Sequence, residues 1–266
     1  MLIKGKLALI TGASSGIGEA TAKEFAGKGG RVILVARSAS RLQQVAADIS
    51  ASGGRADYYP VDLAMPDAVG ELALKIVRDV GPVDILVNNA GAGRWLTIEE
   101  TGARELEQMM ALPYFAAFNL TRELLPHMRR QGSGHIVNIV SAAGRLIWPG
   151  AAGYTAARAA MAAFSKTLET ETHGSGIHVT LAMFGKVAST YWQHNPGSEE
   201  RLPKVNAYLP TLTTQQAAHA VAAAVERESS LIVLPRIFRF LFLLNALYPK
   251  TTSRVLRWGR RTGAGE

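Results

Sequence analysis

The stretch LALITGASSGIG, residues 7–18, decides the fold of this chain. Its apolar start has the pattern of a short strand, and a helical pattern begins inside the glycine-rich turn that follows. Glycines at such a turn allow a sharp bend and a close approach of the backbone to a bound group, and the amides and dipole of a helix N-terminus attract phosphate. The stretch therefore predicts a pyrophosphate site, with a purely structural turn as the alternative. Its expected members are Gly12, Ser14, Ser15, Gly16, Ile17 and Gly18.

The same alternation of strand and helix patterns continues along the chain. Further strands are expected at 32–35, 58–61, 85–87, 136–140, 179–183 and 231–234. Helical patterns separate them at 18–28, 40–50, 66–80, 105–130, 154–172 and 214–228, the last with Thr213 or Thr214 suited to an N-cap. This order predicts an α/β protein with a Rossmann-type doubly wound parallel sheet of about seven strands, flanked by helices.

Length and composition favour one domain. The 266 residues are 48% hydrophobic, enough for a full core, and no tract rich in Pro, Gly and Ser divides the chain. We expect a domain at 1–235 and a C-terminal extension at 236–266. The irregular section at about 186–213 is longer than an ordinary connection, which favours a substrate lid over a passive surface loop.

Other features narrow the class of protein. The absence of cysteine excludes disulfides, thiolate metal sites and thiol nucleophiles, no metal-ligand spacing appears, and we expect no metal. The first residues show no secretory signal pattern, so we expect a cytoplasmic protein, with membrane association as the alternative.

The C-terminal extension is apolar and basic. The chain has a formal net charge of +8, most of it beyond residue 235, which argues against a nucleic-acid partner because such proteins spread cations over a binding face. The segment IFRFLFLLNALY, 237–248, is too short to cross a bilayer, which needs about 20 residues. Peripheral membrane contact and a terminal helix that closes the substrate pocket, or packs on another subunit, both remain open. The charges of the extension are Arg236, Arg239, Lys250, Arg254, Arg257, Arg260, Arg261 and Glu266.

The end of the second expected strand indicates the cofactor. An acidic residue there would bind the ribose hydroxyls of NAD, whereas this chain has VARS at 35–38. The guanidinium of Arg37 suits a 2′-phosphate, so NADP(H) is favoured over NAD(H), with a solvated arginine as the alternative.

Four motifs agree in order and spacing with one family: TGASSGIG at 11–18, NNAG at 88–91, Ser141 and Tyr154. Over residues 5 to about 235 the chain strongly resembles the classical short-chain dehydrogenases/reductases. The resemblance implies an NADP-linked oxidoreductase that assembles as a homodimer or homotetramer. It also implies further cofactor contacts at Asp62, Leu63, Asn89, Ala90, Gly91, Gly185 and Val187, although Asp62 could simply close an Asx turn.

The chemistry implied by the resemblance is hydride transfer between nicotinamide and a carbonyl or alcohol carbon. Tyr154 would be the acid or base, and Ser141 would orient the substrate oxygen. A tyrosine, with an ordinary pKa near 10, needs nearby positive charge for this role. The family has a lysine where this chain has Arg158, one helical turn from Tyr154. We expect Arg158 to hold the nicotinamide ribose and to lower the pKa of Tyr154, without relaying protons.

Two other departures accompany Arg158. Pro113 lies at the helix position of the family's catalytic asparagine, and Phe184 replaces a proline after the sixth strand. Together they leave open a catalytically impaired NADP-binding protein that acts as a structural or sensor module. Aromatic residues near the expected pocket favour a lipophilic substrate over a polar one, although plain packing is the alternative. They are Trp95, Trp148, Phe184, Tyr191 and Trp192.

Overall fold

The computed structural model describes residues 1–258, except for the side chains of Lys204, Val205 and Trp258. Its strands are β1 (Leu7–Thr11), β2 (Arg31–Ala36), β3 (Arg55–Pro60), β4 (Ile85–Asn88), β5 (Gly134–Ser141), β6 (Ile177–Phe184), β7 (Val187–Ala188), β8 (Leu212–Thr213) and β9 (Leu231–Leu234). Its α-helices are α1 (Gly16–Gly27), α2 (Ala39–Ala51), α3 (Pro66–Asp79), α4 (Ala103–Met110), α5 (Ala116–Gln131), α6 (Ala152–Glu171), α7 (Tyr191–His194), α8 (Thr214–Arg227), α9 (Ile237–Leu247) and α10 (Pro249–Trp258).

Seven strands form one parallel sheet in the order β3-β2-β1-β4-β5-β6-β9, while β7 and β8 pair separately. The predicted doubly wound sheet is confirmed. The strand order changes direction between β1 and β4, and in such sheets ligands bind outside the carboxyl ends of the strands at this point. The loops after β1 and β4 carry the glycine-rich turn and the NNAG motif.

The helices cover both faces of the sheet. Successive residues of β1 point to opposite faces, so Ala8 and Ile10 pack in one apolar cluster and Leu9 in another. The first cluster includes residues of α1, α2 and α8, and the second includes residues of α3 and α5. Because both faces are buried, the central strands are continuous apolar runs without polar alternation.

The single helix expected at 105–130 is interrupted. A π-helical turn, Ala111–Phe115, separates α4 from α5, with buried Pro113 at its centre. Proline has no N–H to donate and its ring clashes with the preceding turn, so a regular helical hydrogen bond is lost at position 113. The interruption at Pro113 takes the form of a π-helical turn.

The expected cap of α8 is also present. Thr213 is the N-cap, and its hydroxyl accepts a hydrogen bond from the Gln216 amide at 3.1 Å. The Gln216 side chain accepts one in return from the Thr213 amide at 2.9 Å, which completes a capping box.

The C-terminal helices α9 and α10 pack against the domain. Phe238, Phe242 and Leu256 are buried in the same cluster as Trp95 and Trp148. On the opposite side of α9, Phe240, Leu243 and Leu247 are more than half exposed. Within residues 1–258 no helix is long and apolar enough to cross a membrane. The charged residues Arg260, Arg261 and Glu266 lie outside the described residues.

Candidate active site

The glycine-rich turn after β1 depends on backbone shapes that side chains would disturb. Gly12 and Gly16 have φ angles of +64° and +61°, in the left-handed region that favours glycine. At Gly18 an added Cβ would lie 2.3 Å from the Gly12 oxygen. The absence of a side chain at Gly18 thus allows the helix start to pack closely against the turn, and the pyrophosphate contact expected there stays a prediction.

The loop after β4 is fastened to this turn. The Thr11 hydroxyl accepts hydrogen bonds from the amides of Asn89 and Ala90, both at 2.9 Å. The Asn89 side chain donates to the carbonyls of Thr11 and Gly12 at 2.9 and 3.3 Å. Both loops were predicted from the sequence, whereas the hydrogen bonds by which Thr11 and Asn89 join them were not.

Asn88 has a different role, inside the sheet. Its side chain donates to the Asn138 side chain at 2.8 Å, and Asn138 donates to the Ser165 hydroxyl at 2.9 Å. These buried bonds link β4, β5 and α6. Because α6 also carries Tyr154 and Arg158, this chain of bonds helps to fix the site.

A cleft of about 680 Å³ opens at the carboxyl ends of the strands, and it brings together most of the expected site residues. Those that line it are Gly12, Ser14, Ser15, Gly16, Ile17, Arg37, Leu63, Asn89, Ala90, Gly91, Ser141, Tyr154, Arg158, Gly185 and Val187. Gly18 and Asp62 are not among its lining residues. The Asp62 carboxylate accepts a hydrogen bond from the Ala64 amide at 3.0 Å, as in the Asx turn considered as its alternative role.

Tyr154 and Arg158 are both buried, on the face of α6 that closes the cleft. The Arg158 guanidinium carbon lies 4.8 Å from the centre of the Tyr154 ring, in cation–π geometry. A Cβ on Gly91 would lie 2.8 Å from both terminal nitrogens of Arg158, so a side chain there would displace the guanidinium. Within residues 1–258 no carboxylate pairs with Arg158, a residue that is only 7% exposed.

Ser141 ends β5 beside this pair. Its hydroxyl accepts a hydrogen bond from the Ala143 amide at 3.1 Å, which starts a short 3₁₀ segment, Ala142–Gly144. The hydroxyl proton is left for another acceptor. Ser141 is thus both a strand-end cap and a residue of the cleft wall.

The 186–213 segment lies over one side of the cleft and is fastened to the loop after NNAG. The Asn195 side chain accepts from the Gly93 amide at 3.2 Å and donates to the Tyr191 carbonyl at 2.8 Å. The Tyr191 hydroxyl donates to the Gly93 carbonyl, and the Ser198 hydroxyl accepts from the Trp95 amide at 3.0 Å. Asn195 and Ser198 are buried. Their part in fastening the segment was missed, because no local pattern reveals a partner a hundred residues away.

Two ionisable groups of this contact have displaced pKa values. Burial, and next the nearby Tyr154, raise the pKa of the Tyr191 phenol well above its ordinary value, so Tyr191 remains a hydrogen-bond donor. At the outer edge Arg201 forms an ion pair with Glu100. Its hydrogen bond lowers the pKa of Glu100 to about 2.

The remaining wall of the cleft is aromatic. Phe184, Trp95, Trp148 and Trp192 line it, as sequence analysis anticipated, together with Phe238 of α9. An added Cβ on Gly185 would lie 2.4 Å from the Phe238 ring. The described part of the C-terminal extension therefore closes the cleft. The alternative expectation of membrane contact is not excluded by this packing, because the other side of α9 is exposed.

The cleft fits a nicotinamide dinucleotide. Its glycine-rich end lies at the start of α1, and the N-terminus of a helix is the kind of place that can hold a pyrophosphate. Its other end holds the guanidinium of Arg158, which lacks an acidic partner within residues 1–258 and would suit the hydroxyls of a ribose. The fold and the cleft are those of a dinucleotide-binding oxidoreductase.

The short chain dehydrogenase family model matches residues 6–200, and the chain belongs to this family. It is 37% identical over 225 residues to a fatty acyl-CoA reductase of Acinetobacter baylyi, covering 84% of this chain and 74% of the relative. A fatty acyl-CoA reductase of Mycobacterium tuberculosis is 33% identical over 264 residues, covering 96% of this chain and 85% of the relative. A short-chain dehydrogenase from Sphingobium yanoikuyae, solved in complex with NADPH, superposes with a TM-score of 0.78 at 26% identity and 98% coverage of both chains.

Proposed function

We propose that this oxidoreductase transfers a hydride between NADP(H) and the carbonyl or alcohol carbon of a lipophilic substrate. The observation that carries the proposal is the buried guanidinium of Arg158 beside Tyr154, with which no carboxylate of the described residues 1–258 pairs. An unpaired buried charge is costly to stability, so its retention at the cleft argues for a partner bound there.

The cofactor supplies the hydride when it is bound. In the reductive direction Tyr154 donates a proton to the oxygen as the carbon accepts the hydride, and Ser141 holds that oxygen by a hydrogen bond. Arg158 stabilises the phenolate left on Tyr154 and binds the ribose. Because a guanidinium does not readily release a proton, Tyr154 would take its next proton from water and not from Arg158.

Arg37 supports NADP(H) as the preferred cofactor. It lines the cleft at the end of β2, where NAD-dependent proteins carry an acidic residue. Its guanidinium offers charge and paired donors to a 2′-phosphate. Asp62 and Leu63 are proposed to lie at the adenine, while Gly185 and Val187 lie at the nicotinamide.

The aromatic wall and the relatives support a long acyl substrate. Trp95 and Trp148 pack together with ring centres 6.2 Å apart, and Trp95 also packs on Tyr154. A fatty aldehyde or ketone would be reduced to an alcohol. With an acyl thioester, the hydride adds to the carbonyl carbon, the C–S bond breaks, and the thiolate leaves and takes up a proton, giving an aldehyde and the free thiol.

The test follows NADPH oxidation with fatty aldehydes, aliphatic and aromatic ketones and acyl-CoA. Tyr154→Phe should abolish turnover and retain NADPH binding, whereas Tyr114→Phe, a half-buried tyrosine outside the cleft lining, should retain both. Arg158→Ala should weaken NADPH binding and turnover together. Unchanged NADPH affinity and rate in Arg158→Ala would refute the role of this residue.

A second candidate function follows from Pro113 and Arg158. If these departures abolish proton transfer, the protein is an NADP-binding structural or sensor module. It would then bind NADPH tightly and leave every carbonyl compound of the panel unreduced. Binding by fluorescence titration, measured beside the oxidation assay, separates the two functions.

A homodimer or homotetramer is proposed from the surface of α5. Phe115 and Phe118 are 47% and 43% exposed and form an aromatic group with Tyr114 and Phe164. Exposed aromatic groups of this kind mark association surfaces. Phe118→Glu should lower the molar mass measured by light scattering, and Ile98→Glu, at an equally apolar but isolated exposed site, should not.

Peripheral membrane contact is proposed for the outer side of α9. Phe240, Leu243 and Leu247 form an exposed apolar stripe, with the exposed cations Arg236 and Arg239 beside it. This combination fits a surface of anionic lipid, into which the apolar side chains insert. Leu243→Glu should abolish co-sedimentation with phosphatidylglycerol vesicles. Unchanged sedimentation of that variant would reject membrane contact.

A further inference from the structure

A second groove lies outside the catalytic cleft, between α10 and the loop before α6. Its volume is about 520 Å³. Its cationic side is formed by Lys250, Arg254 and Arg257, and its apolar side by Ile147 and Pro149. No Asp or Glu lines it among the described residues, and the sequence has none between 229 and 265.

The three cations share one face of α10. Their spacings of four and three residues place them side by side on the helix, where like charges repel one another. Within residues 1–258 none of them forms an ion pair. The helix dipole favours cations only near its C-terminal end, whereas Lys250 is the second residue of α10. Helix stability therefore does not account for the cluster.

The groove and the catalytic cleft share a wall. Trp148 is 6% exposed and lines the cleft, while its chain neighbour Ile147 is 73% exposed and lines the groove. Pro149, on the other side of Trp148, also lines the groove. A ligand long enough to pass this wall could occupy both places.

We propose that this groove binds phosphate groups, and that it holds the phosphates of a coenzyme carrier whose acyl chain enters the cleft. Arginine pairs with phosphate through charge and a fork of donors, and lysine supplies a further point charge. The apolar wall suits the uncharged part of such a carrier. The choice of an acyl thioester rests on the proposed function, whereas binding of phosphate to the groove does not.

The test measures binding of coenzyme A to the full chain loaded with NADP, so that no turnover is needed. The groove variant is Lys250→Gln with Arg254→Gln and Arg257→Gln. The control variant, Lys4→Gln with Arg104→Gln and Lys166→Gln, removes the same charge from exposed positions outside both cavities. Calorimetry should show a Kd for coenzyme A at least about tenfold higher in the groove variant, and nearly unchanged in the control. Pantetheine, which lacks the phosphates, should not distinguish the two.

Two further measurements identify the source of the phosphate. The groove variant could lose binding to phosphatidylglycerol vesicles while neither variant binds coenzyme A. That result would support the phosphate site but assign it to a lipid headgroup. Equal affinities of groove and control variants for coenzyme A, inorganic pyrophosphate and these vesicles would overturn the proposal. Loss of NADPH oxidation in every assay, with coenzyme A binding retained, would reject the proposed function and leave the groove intact.

Discussion

Replacement of Asn195 by alanine tests whether the 186–213 segment is a lid that opens. The Asn195 side chain is buried and makes two hydrogen bonds, one from the Gly93 amide at 3.2 Å and one to the Tyr191 carbonyl at 2.8 Å. The first crosses to the loop after β4, and the second holds the helix that carries Tyr191. Asn195→Ala removes both and leaves two backbone groups without these partners.

The size of the effect follows from those two groups. A buried polar group left without a partner costs about 1–3 kcal/mol, and the lower end applies where water can enter beside a cleft. Two such groups give about 2 kcal/mol in favour of the open segment. At 1.4 kcal/mol for each factor of ten, the opening equilibrium should rise roughly 30-fold.

Native-state hydrogen exchange measures this opening directly. The reporter is the Trp95 amide, which donates to the Ser198 hydroxyl at 3.0 Å, a bond that the substitution does not touch. If the segment opens as a unit, exchange at Trp95 should accelerate roughly 30-fold. Gln193→Ala is the control, because Gln193 is an exposed amide on the same short helix. Equal exchange at Trp95 in both variants would refute cooperative opening and leave a passive loop.

Three other outcomes are expected. Burial lowers the pKa of His135 to about 3, so between about pH 6.5 and 3 the unfolded chain binds a proton that the folded chain does not. As the pH is lowered through this range, the free energy of unfolding should fall by up to about 1.4 kcal/mol per pH unit. Chemical denaturation of His135→Gln should show a smaller dependence of this free energy on pH. Phe238 is buried, so Phe238→Ala should lower the free energy of unfolding by about 3–5 kcal/mol. The matched change at exposed Phe240, Phe240→Ala, should lower it by only about 0.5 kcal/mol. Equal small losses in both variants would mean that α9 does not fold with the domain. Arg37→Asp should weaken NADPH binding about 10- to 100-fold and leave the affinity for NADH unchanged. Arg41→Asp, at a position outside the cleft lining, should change neither affinity. A parallel loss of affinity for both cofactors in Arg37→Asp would contradict 2′-phosphate recognition.

The sheet could be predicted because its signals are local. Apolar runs ending at turns located all seven strands of the main sheet, and the alternation with helices implied parallel pairing. Motif spacing also located the cleft, since the carboxyl ends of parallel strands meet at one edge. The N-cap of α8 at Thr213 could also be predicted from the sequence, because a capping box spans only four residues.

Contacts between distant segments could not be predicted. Asn195 is an ordinary loop residue in the sequence, and its partner Gly93 lies 102 positions away. Phe238 belongs to the apolar helix α9, where the buried and the exposed sides both carry large apolar residues. The sequence therefore does not show which side packs against the domain. The close packing at Gly18 could not be predicted for a similar reason, since the neighbouring atom is the Gly12 carbonyl oxygen across the turn.

The side chains and backbone around position 158 accommodate arginine where the family has lysine. A guanidinium is planar and larger than an ammonium, and here it lies against Gly91 and stacks on the ring of Tyr154. Any side chain at position 91 would displace it, so the glycine of NNAG provides the space that arginine needs. A decaying site would have no reason to keep a charge buried without a carboxylate, because an apolar residue there would be more stable. The burial of Arg158 therefore fits the proposed binding of a ribose, and it is the Tyr154 phenol beside the guanidinium that favours a working site over a cofactor-binding remnant.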